Sequence, residues 1–273
     1  MSVNTEINTL DLFSLKGKVA LITGGRAMYG KGCTMALVDA GAKVYLASHS
    51  VESAQAYVEE LRARGGDVEA VAFDQCDIAS IDAMIEKVIA QEGRIDVFVH
   101  CSRIIPKGDG GVGWYQDEKQ ITEDVNVNTA ASLYMVSAVG EKMKKQKSGS
   151  IIVFGSMMGL VGVEKHNYDG EPGMGDGAYG HVYALCKSGL HGWVRHAASY
   201  YGQYGIRINA VCPGGLESDR TPPIFKQNYS NHTQLGRLAN GNDIKGPILF
   251  LASDASAYLT GLSIPVDGGY TCI

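Results

Sequence analysis

The sequence predicts an α/β fold in which helices cover both faces of a parallel β-sheet. Short apolar segments rich in β-branched residues alternate with longer segments of helical periodicity along most of the 273 residues. The apolar segments show little alternation of polar and apolar side chains, which is typical of strands buried on both faces. Hydrophobic residues make up 45% of the chain, enough for a large core. We therefore expect one doubly wound domain over residues 1–273, with a sheet of about seven strands.

The elements follow one another in a βα rhythm. Gly41 and the Gly65-Gly66 pair follow the first two predicted helices and suit helix C-caps. The predicted strands are Lys18–Thr23, Ala42–Ala47, Val68–Phe73, Ile95–Cys101, Ser150–Gly155, Ile206–Val211 and Leu262–Val266. The predicted helices are Gly30–Asp39, Val51–Arg64, Ile78–Gln91, Thr122–Gln146, Tyr179–Gln203 and Asp243–Leu251.

Three segments lie outside this rhythm. Residues 1–15 form an N-terminal extension. Residues 159–178 are rich in glycine and acidic side chains, and we interpret them as an insert near the active site. Residues 217–236 carry Pro222-Pro223, and we interpret them as an irregular substrate loop, because long loops in compact domains are commonly functional.

Charge and composition exclude several classes of protein. The 24 Lys and Arg residues against 29 Asp and Glu residues give a net charge of −5 without a basic stripe, which disfavours nucleic-acid binding. Since no apolar segment approaches the roughly 18 residues of a membrane span, and no signal peptide is evident, we expect no membrane association. The six scattered cysteines disfavour a metal site or a disulfide framework. They favour a reducing, cytoplasmic location.

A glycine-rich turn follows the first predicted strand. It reads Thr23-Gly24-Gly25-Arg26-Ala27-Met28-Tyr29-Gly30 and opens the first predicted helix. In this context glycines let the backbone approach a pyrophosphate, and the helix N-terminus offers N–H donors. An ordinary tight turn between strand and helix is the alternative.

A tyrosine and a lysine four residues apart carry the predicted chemistry. Tyr183 and Lys187 lie in a helical pattern, where this spacing puts both side chains on one face. An ammonium near a phenol stabilises the phenolate, which a general acid/base requires. Taken alone, such a pair is more often two unrelated helix residues, because this spacing occurs often by chance. Ser156 follows the fifth predicted strand, however, and Asn128 lies in the helix before that strand.

The glycine turn and these four residues in this order resemble the short-chain dehydrogenase/reductase family, which has a Rossmann fold. The resemblance extends from about Leu12 to Tyr270. It implies NAD(P)-dependent hydride transfer between a carbonyl and a secondary alcohol, with Tyr183 as acid/base and Ser156 holding the substrate oxygen. It also implies that Lys187 tunes Tyr183 and binds the nicotinamide ribose, while Asn128 supports a water. The cofactor contacts it implies are Gly24, Arg26, Met28, Tyr29, Gly30, Ser48, His49, Asp74, Gln75, Cys101, Lys187, Pro213, Gly214, Leu216 and Ser218.

The chain departs from the family pattern at three places. Met28 stands where the common T-G-x-x-x-G-x-G motif has its middle glycine. The family's N-N-A-G after the fourth strand is here His100-Cys101-Ser102-Arg103, so that Arg103 needs another way past the adenine ribose. We interpret His100 as a hydrogen-bonded structural residue. The insert makes the segment between Ser156 and Tyr183 longer than is usual in the family. We interpret it as a cap over the substrate, and a solvent-exposed loop or an oligomer contact is the alternative. Candidate substrate contacts are His166, His181 and Gly215.

The end of the second strand bears on cofactor choice. An NAD enzyme usually places Asp or Glu there for the ribose hydroxyl, whereas this chain reads Ser48-His49-Ser50. His49, the two serines and Arg26 suit a phosphate better. We expect NADP(H) rather than NAD(H).

Substrate and assembly are predicted only as classes. We expect a sugar, sugar acid, polyol or related hydroxylated small molecule. A 3-oxoacyl-carrier-protein reductase-like enzyme is the alternative, and a non-catalytic dinucleotide-binding regulator or scaffold is a third reading. The resemblance also implies self-association as a dimer or tetramer.

Overall fold

The fold is built on one seven-stranded sheet. The computed structural model describes residues 6–104, 116–170 and 181–273. All neighbouring strands pair in parallel, in the order β3-β2-β1-β4-β5-β6-β7. This confirms the predicted α/β class, and every strand ends within two residues of its predicted bounds. The strands are β1 Val19–Thr23, β2 Lys43–Ser48, β3 Asp67–Ala72, β4 Val97–His100, β5 Gly149–Phe154, β6 Ile206–Pro213 and β7 Ser263–Val266.

Six of the helices cover the two faces of this sheet. Successive side chains of a strand point to opposite faces, so Leu21 of β1 enters one apolar cluster and Ile22 the other. Helices α3, α5 and α6 pack in the first cluster, and α1, α2 and α8 in the second. The helices are α1 Tyr29–Asp39, α2 Val51–Ala63, α3 Ile78–Glu92, α4 Glu118–Val125, α5 Ala131–Gln146, α6 His181–Tyr201, α7 Pro223–His232 and α8 Lys245–Ala252.

The single helix predicted over Thr122–Gln146 is interrupted in the structure. It begins earlier, at Glu118, because Asp117 and Gln120 form a capping box. A π-helical turn over Asn126–Ala130 then separates α4 from α5. Such turns are rare and are frequent at functional sites.

The interpretation of residues 217–236 as an irregular loop was wrong. Helix α7 occupies Pro223–His232 within it. Pro222 is extended and Pro223 is the first helical residue, where the fixed φ of proline suits the helix and its missing N–H is not needed. The two prolines therefore begin a helix rather than break one.

The described part of the predicted insert packs against α7. A short 3-10 helix over Lys165–Tyr168 brings Tyr168 to 5.3 Å from Phe225, measured between ring centroids. Asn167 is buried and hydrogen-bonds both Tyr270 at 2.7 Å and His232 at 2.8 Å. Residues 171–178 of the insert, and Tyr179 at the predicted start of α6, lie outside the described residues.

Within residues 6–104, 116–170 and 181–273, no helix combines the length and apolarity needed to cross a bilayer.

Candidate active site

Three of the four predicted catalytic residues, Asn128, Tyr183 and Lys187, line one cavity at the carboxyl edge of the sheet, whereas Ser156 is not among the residues that line it. Thr23 at the end of β1 pairs with His100 at the end of β4, so these strands end together. Tyr183 and Lys187 on α6 line a cavity of about 170 Å³, together with Asn128 of the π turn. Ser156 comes two residues after β5, and its hydroxyl accepts a hydrogen bond from the Met158 amide at 3.1 Å. The 3-10 turn that begins there packs against α6.

Lys187 is held behind the Tyr183 ring. Its Nζ donates a hydrogen bond of 2.6 Å to the carbonyl of Phe154 and lies 5.8 Å from the centroid of that ring. Burial, with a smaller contribution from the positive charge of Arg103, lowers the pKa of Lys187 to about 8. The site therefore holds a cation that is costly to bury and close to the phenol.

Arg103 also faces Tyr183. Its guanidinium carbon lies 4.2 Å from the centroid of the Tyr183 ring, a cation–π contact. The Arg103 side chain therefore turns toward the tyrosine. Sequence reasoning did not place Arg103 in the site, although the substitution of the family's glycine pointed to this position.

Asn128 fixes the chain that follows β4. Its side-chain amide donates to the Ile104 carbonyl at 2.7 Å, and its oxygen accepts from the Ile104 amide at 3.0 Å. The same amide donates to the buried carboxylate of Asp124 at 2.6 Å. The asparagine therefore fixes Ile104, the residue that follows the cavity-lining Arg103.

His100 links three elements through a buried ring. Its Nδ1 lies 2.9 Å from the Thr23 hydroxyl and its Nε2 2.7 Å from the Ser132 hydroxyl. Because Ser132 donates its one proton to the carbonyl of Asn128 at 2.8 Å, it can only accept from His100, so Nε2 carries the imidazole proton. Burial, with a smaller contribution from Lys187, lowers the pKa of His100 to about 3, and the ring is neutral. This geometry agrees with the structural role expected from the sequence.

The glycine turn packs closely against the end of β4. Gly24 has a φ of +70°, and a Cβ there would lie 2.7 Å from the backbone of Ser102. Met28 takes a φ of 50° directly before α1. No side chain caps α1 at Met28, while the Gly30 amide donates to the Ala27 carbonyl at 2.8 Å and the Lys31 amide to the Met28 carbonyl at 3.3 Å. The close approach at Gly24, with a helix N-terminus behind it, fits the pyrophosphate of a dinucleotide.

Tyr29 joins two predicted cofactor segments. The tyrosine is buried, and its hydroxyl donates to the carbonyl of Gly214 at 3.1 Å. The glycine turn and the Pro213-Gly214 segment after β6 are therefore in direct contact. Tyr29 is placed to hold these segments together rather than to present its ring to solvent.

Polar side chains lie together where the adenosine is expected. The Arg26 guanidinium donates to the carbonyl of Ser53 in the first turn of α2, at 3.2 Å. His49 is 83% exposed, and its Nε2 lies 3.6 Å from the carboxylate of Asp74. The Ser48 hydroxyl donates to the carbonyl of Ser50, the N-cap of α2, at 2.8 Å. These residues come from the glycine turn and the ends of β2 and β3, as the sequence predicts.

Four further predicted cofactor residues have structural partners. Gln75 is buried. Its side-chain amide donates to the Val127 carbonyl at 2.8 Å, and its side-chain oxygen accepts a hydrogen bond from the Ser102 hydroxyl at 2.5 Å. Cys101 and Leu216 are partly buried against the core. Ser218 lies in a turn in which its amide donates to the hydroxyl of Thr221 at 2.8 Å.

Tyr229 of α7 is a site residue that sequence reasoning missed. Its buried hydroxyl accepts a hydrogen bond of 2.6 Å from the Gly215 amide and lies 3.0 Å from the sulfur of Met157. A Cβ on Gly215 would lie 2.9 Å from the Tyr229 ring, so this close approach requires glycine. The aromatic residues that follow Pro222-Pro223 were the sequence feature from which Tyr229 could have been predicted.

The two histidines predicted to contact substrate are placed differently. His166 is exposed on the 3-10 helix of the insert, and its Nδ1 lies 2.5 Å from the carboxylate of Glu164. It does not line the cavity described above. The side chain of His181 lies outside the described residues.

A family model described as enoyl-(acyl carrier protein) reductase matches residues 29–271. The chain belongs to the short-chain dehydrogenase/reductase family. It is an NAD(P)-dependent oxidoreductase, as the resemblance implied. The Met28 turn and the His100–Arg103 segment are departures within this short-chain dehydrogenase/reductase rather than signs of another fold.

Relatives of this short-chain dehydrogenase/reductase span almost its whole length. A 3-oxoacyl-[acyl-carrier-protein] reductase from Thermotoga maritima is 32% identical over 93% of this chain and 98% of its own. An uncharacterized oxidoreductase from the same organism is 30% identical over 95% of this chain and 100% of its own. The crystal structure of a gluconate 5-dehydrogenase from Burkholderia cenocepacia, in complex with NADP and tartrate, superposes with a TM-score of 0.84 at 25% identity. The superposition covers 97% of this chain and 100% of the gluconate 5-dehydrogenase chain.

Proposed function

We propose that this enzyme interconverts a carbonyl and a secondary alcohol with Tyr183 as the general acid/base. The observation that carries the proposal is the position of Tyr183 at a cavity, with the Lys187 ammonium 5.8 Å from its ring centroid. A nearby cation stabilises the phenolate that forms when the phenol gives up its proton. Tyr183 would donate that proton to the carbonyl oxygen during reduction and accept it back during oxidation.

The other three predicted catalytic residues have separate roles. The Ser156 hydroxyl would hold the reacting oxygen, and Lys187 would bind the nicotinamide ribose. Asn128 would hold a water at its backbone while its side chain fixes Ile104. The nicotinamide, when bound, supplies or accepts the hydride, and the protein orients it.

Replacement of Tyr183 by Phe tests this proposal. We expect Tyr183→Phe to lower turnover by about 10²–10⁴-fold, the usual contribution of a general acid/base. The Kd for cofactor should remain within a factor of about two of the native value. Tyr258→Phe, at a fully exposed tyrosine, is the matched control and should leave both quantities unchanged. Turnover retained in Tyr183→Phe would refute the assignment.

We also propose NADP(H) as the preferred cofactor. Arg26, which reaches the first turn of α2, and the exposed His49 offer N–H donors beside the end of β2, where the ribose phosphate is expected, and this supports the choice. The gluconate 5-dehydrogenase named above was crystallised with NADP, which supports the same choice.

Fluorescence titration with NADPH and NADH measures this preference. Arg26→Ala should weaken NADPH binding at least about 10-fold, because a charge-assisted hydrogen bond to phosphate contributes about 1.5–3 kcal/mol. NADH binding should change far less. Arg64→Ala, at an exposed arginine at the end of α2, is the control. Equal losses for the two cofactors would contradict the proposal.

For the substrate we propose a hydroxylated small molecule of the sugar, sugar acid or polyol kind. The tartrate in the gluconate 5-dehydrogenase complex, a hydroxylated acid, supports this class. A 3-oxoacyl-carrier-protein reductase activity is the second candidate, favoured by the relative that is 32% identical. Such an enzyme needs basic surface for an acidic carrier protein, whereas the insert contributes Glu164 and Asp169. Comparing kcat/KM for aldonates and alditols with kcat/KM for acetoacetyl-coenzyme A separates the two candidates.

We further propose that the enzyme self-associates as a dimer or tetramer through α5 and α6. Leu185 on α6 is 63% exposed and Tyr134 on α5 is 38% exposed, and a partner copy would bury these side chains. Multi-angle light scattering measures the mass directly. A monomer at micromolar concentration would contradict this proposal.

A further inference from the structure

The Arg103 guanidinium has N–H donors for which the described residues supply no acceptor. Among residues 6–104, 116–170 and 181–273, no hydrogen bond or ion pair uses these donors, and the guanidinium carbon lies 4.2 Å from the centroid of the Tyr183 ring. A guanidinium carries five N–H donors in its plane, and contact with a ring through the face leaves the edges free. Arg103 is also exposed at the mouth of the cavity, so a ligand can reach these edges.

The charges that line the cavity favour an anion beside Arg103. Lys187 is a second cation, and one of its three N–H groups donates to the Phe154 carbonyl. Asp124 is the one described carboxylate of the lining, and Asn128 already donates to it. His100 is neutral, with a pKa lowered to about 3 by burial. Two positive charges therefore face one negative charge, and an incoming anion would relieve their repulsion.

We propose that Arg103 binds a carboxylate of the substrate, so that this enzyme acts on hydroxy or oxo acids in preference to uncharged polyols. The inference rests on the proposed function, because it places the reacting carbon at Tyr183. The planar guanidinium matches the two oxygens of a carboxylate, and such bidentate pairs are the strong ones among charge-assisted hydrogen bonds. Since the Arg103 guanidinium lies over the Tyr183 ring, an acid bound to its N–H groups would lie beside the phenol that exchanges the proton.

Pairs of compounds that differ only in this group test the proposal. D-Gluconate and D-sorbitol, and D-galactonate and galactitol, each exchange a terminal carboxylate for a hydroxymethyl group. Their oxidation is followed with NADP⁺, and their binding to the enzyme–NADP⁺ complex is followed by calorimetry. The native enzyme should favour each acid in kcat/KM. In Arg103→Met we expect KM and Kd for the acids to rise about 10–100-fold. The values for the polyols should stay within about threefold.

Two further variants separate this role from others. Arg103→Lys keeps the charge without the planar fork and should recover part of the affinity for the acids. Arg195→Met removes an exposed arginine elsewhere on α6 and should change nothing. The NADPH affinity of Arg103→Met should equal that of the native enzyme, and a loss would show that Arg103 serves the cofactor phosphates instead.

The remaining outcomes decide against the proposal. Equal losses for acid and polyol in Arg103→Met would show that Arg103 acts through Tyr183 or the local fold, and a polyol preference of the native enzyme would exclude the carboxylate. Failure of the complex to bind either acid below 10 mM, a limit set by the assay (about 2.7 kcal/mol of binding free energy), would also overturn it. Failure of the proposed function looks different. Tyr183→Phe would then retain turnover, while calorimetry could still report Arg103-dependent binding of the acids.

Discussion

Met28 stores backbone strain at the start of α1, and its replacement measures that strain. The residue has a φ of 50° and a ψ of −134°, a conformation that favours glycine because a Cβ crowds the backbone there. A non-glycine residue in such a region costs about 1–3 kcal/mol. The side chain is 55% exposed, so it recovers little of this by burial.

Comparing Met28→Gly with Met28→Ala isolates the strain, because both variants lose the same side chain but only alanine keeps a Cβ. Glycine costs about 0.5–1 kcal/mol more than alanine through the entropy of the unfolded chain. Subtracting this from the strain leaves Met28→Gly more stable than Met28→Ala by about 0.5–2 kcal/mol. For a chain of this size the difference corresponds to roughly 1–6 °C in Tm.

Urea unfolding of the cofactor-free protein measures this difference in the free energy of unfolding. Lys31 provides the matched control, since it is an exposed position inside α1. There the order should reverse, with Lys31→Gly about 1 kcal/mol less stable than Lys31→Ala. If Met28→Ala is as stable as Met28→Gly or more stable, Met28 carries no such strain and the reasoning is refuted.

Two further predictions concern residues that pack at the site. Because folding lowers the pKa of Lys187 from 10.5 to about 8, the native state holds this proton more weakly than the unfolded state. Between these two pKa values, the unfolding free energy of the native protein should therefore rise by about 1.4 kcal/mol per pH unit relative to that of Lys187→Met. Urea unfolding at pH 7.5, 8.5 and 9.5 measures this slope. A constant difference would contradict the lowered pKa. Tyr229→Phe leaves the Gly215 amide without its acceptor and should cost about 1–3 kcal/mol of unfolding free energy, while Tyr258→Phe at the surface should cost none.

Local signals explain why the sheet and most helices were predictable. Strands buried on both faces are recognisable as apolar runs, and Gly41 and Gly65 take the positive φ expected just after a helix. Helix α7 was missed because its sequence is mainly polar and its two leading prolines were interpreted as loop residues. The π turn was missed because the periodicity of α4 continues into α5 with only one residue of extra winding.

The candidate site was predictable to the extent that its geometry is local. Tyr183 and Lys187 are four residues apart on one helix, and helical geometry alone brings them together. The partners of His100 are different, because Thr23 is 77 positions away and Ser132 is 32 positions away. Similarly, nothing in the order of residues shows that Arg103 turns toward Tyr183, 80 positions later in the chain. These contacts depend on how the ends of β1 and β4 meet the π turn.

The buried His100 ring leads to the last prediction. His100→Phe keeps an aromatic ring but leaves the Thr23 and Ser132 hydroxyls without their shared partner, which should cost about 1–3 kcal/mol at pH 7.5. The pKa of His100 falls from 6.5 to about 3 on folding, so the unfolded state binds this proton first as the pH drops. The free energy of unfolding of the native protein should therefore fall by about 1.4 kcal/mol per pH unit below pH 6.5, and that of His100→Phe should not show this fall.

The deficit of His100→Phe, meaning the unfolding free energy by which it falls short of the native protein, should accordingly shrink on acidification. Urea unfolding at pH 7.5, 6.0, 5.0 and 4.5 measures it, and it should be smallest near pH 4.5. Ser132→Ala is the control, because it removes one partner but keeps the buried imidazole, and its deficit should not follow pH in this way. A His100→Phe deficit that stays constant over the series would mean that the imidazole becomes protonated within the fold. The network from Thr23 to Asn128 would then have to rearrange, since a doubly protonated ring can no longer accept from the Thr23 hydroxyl.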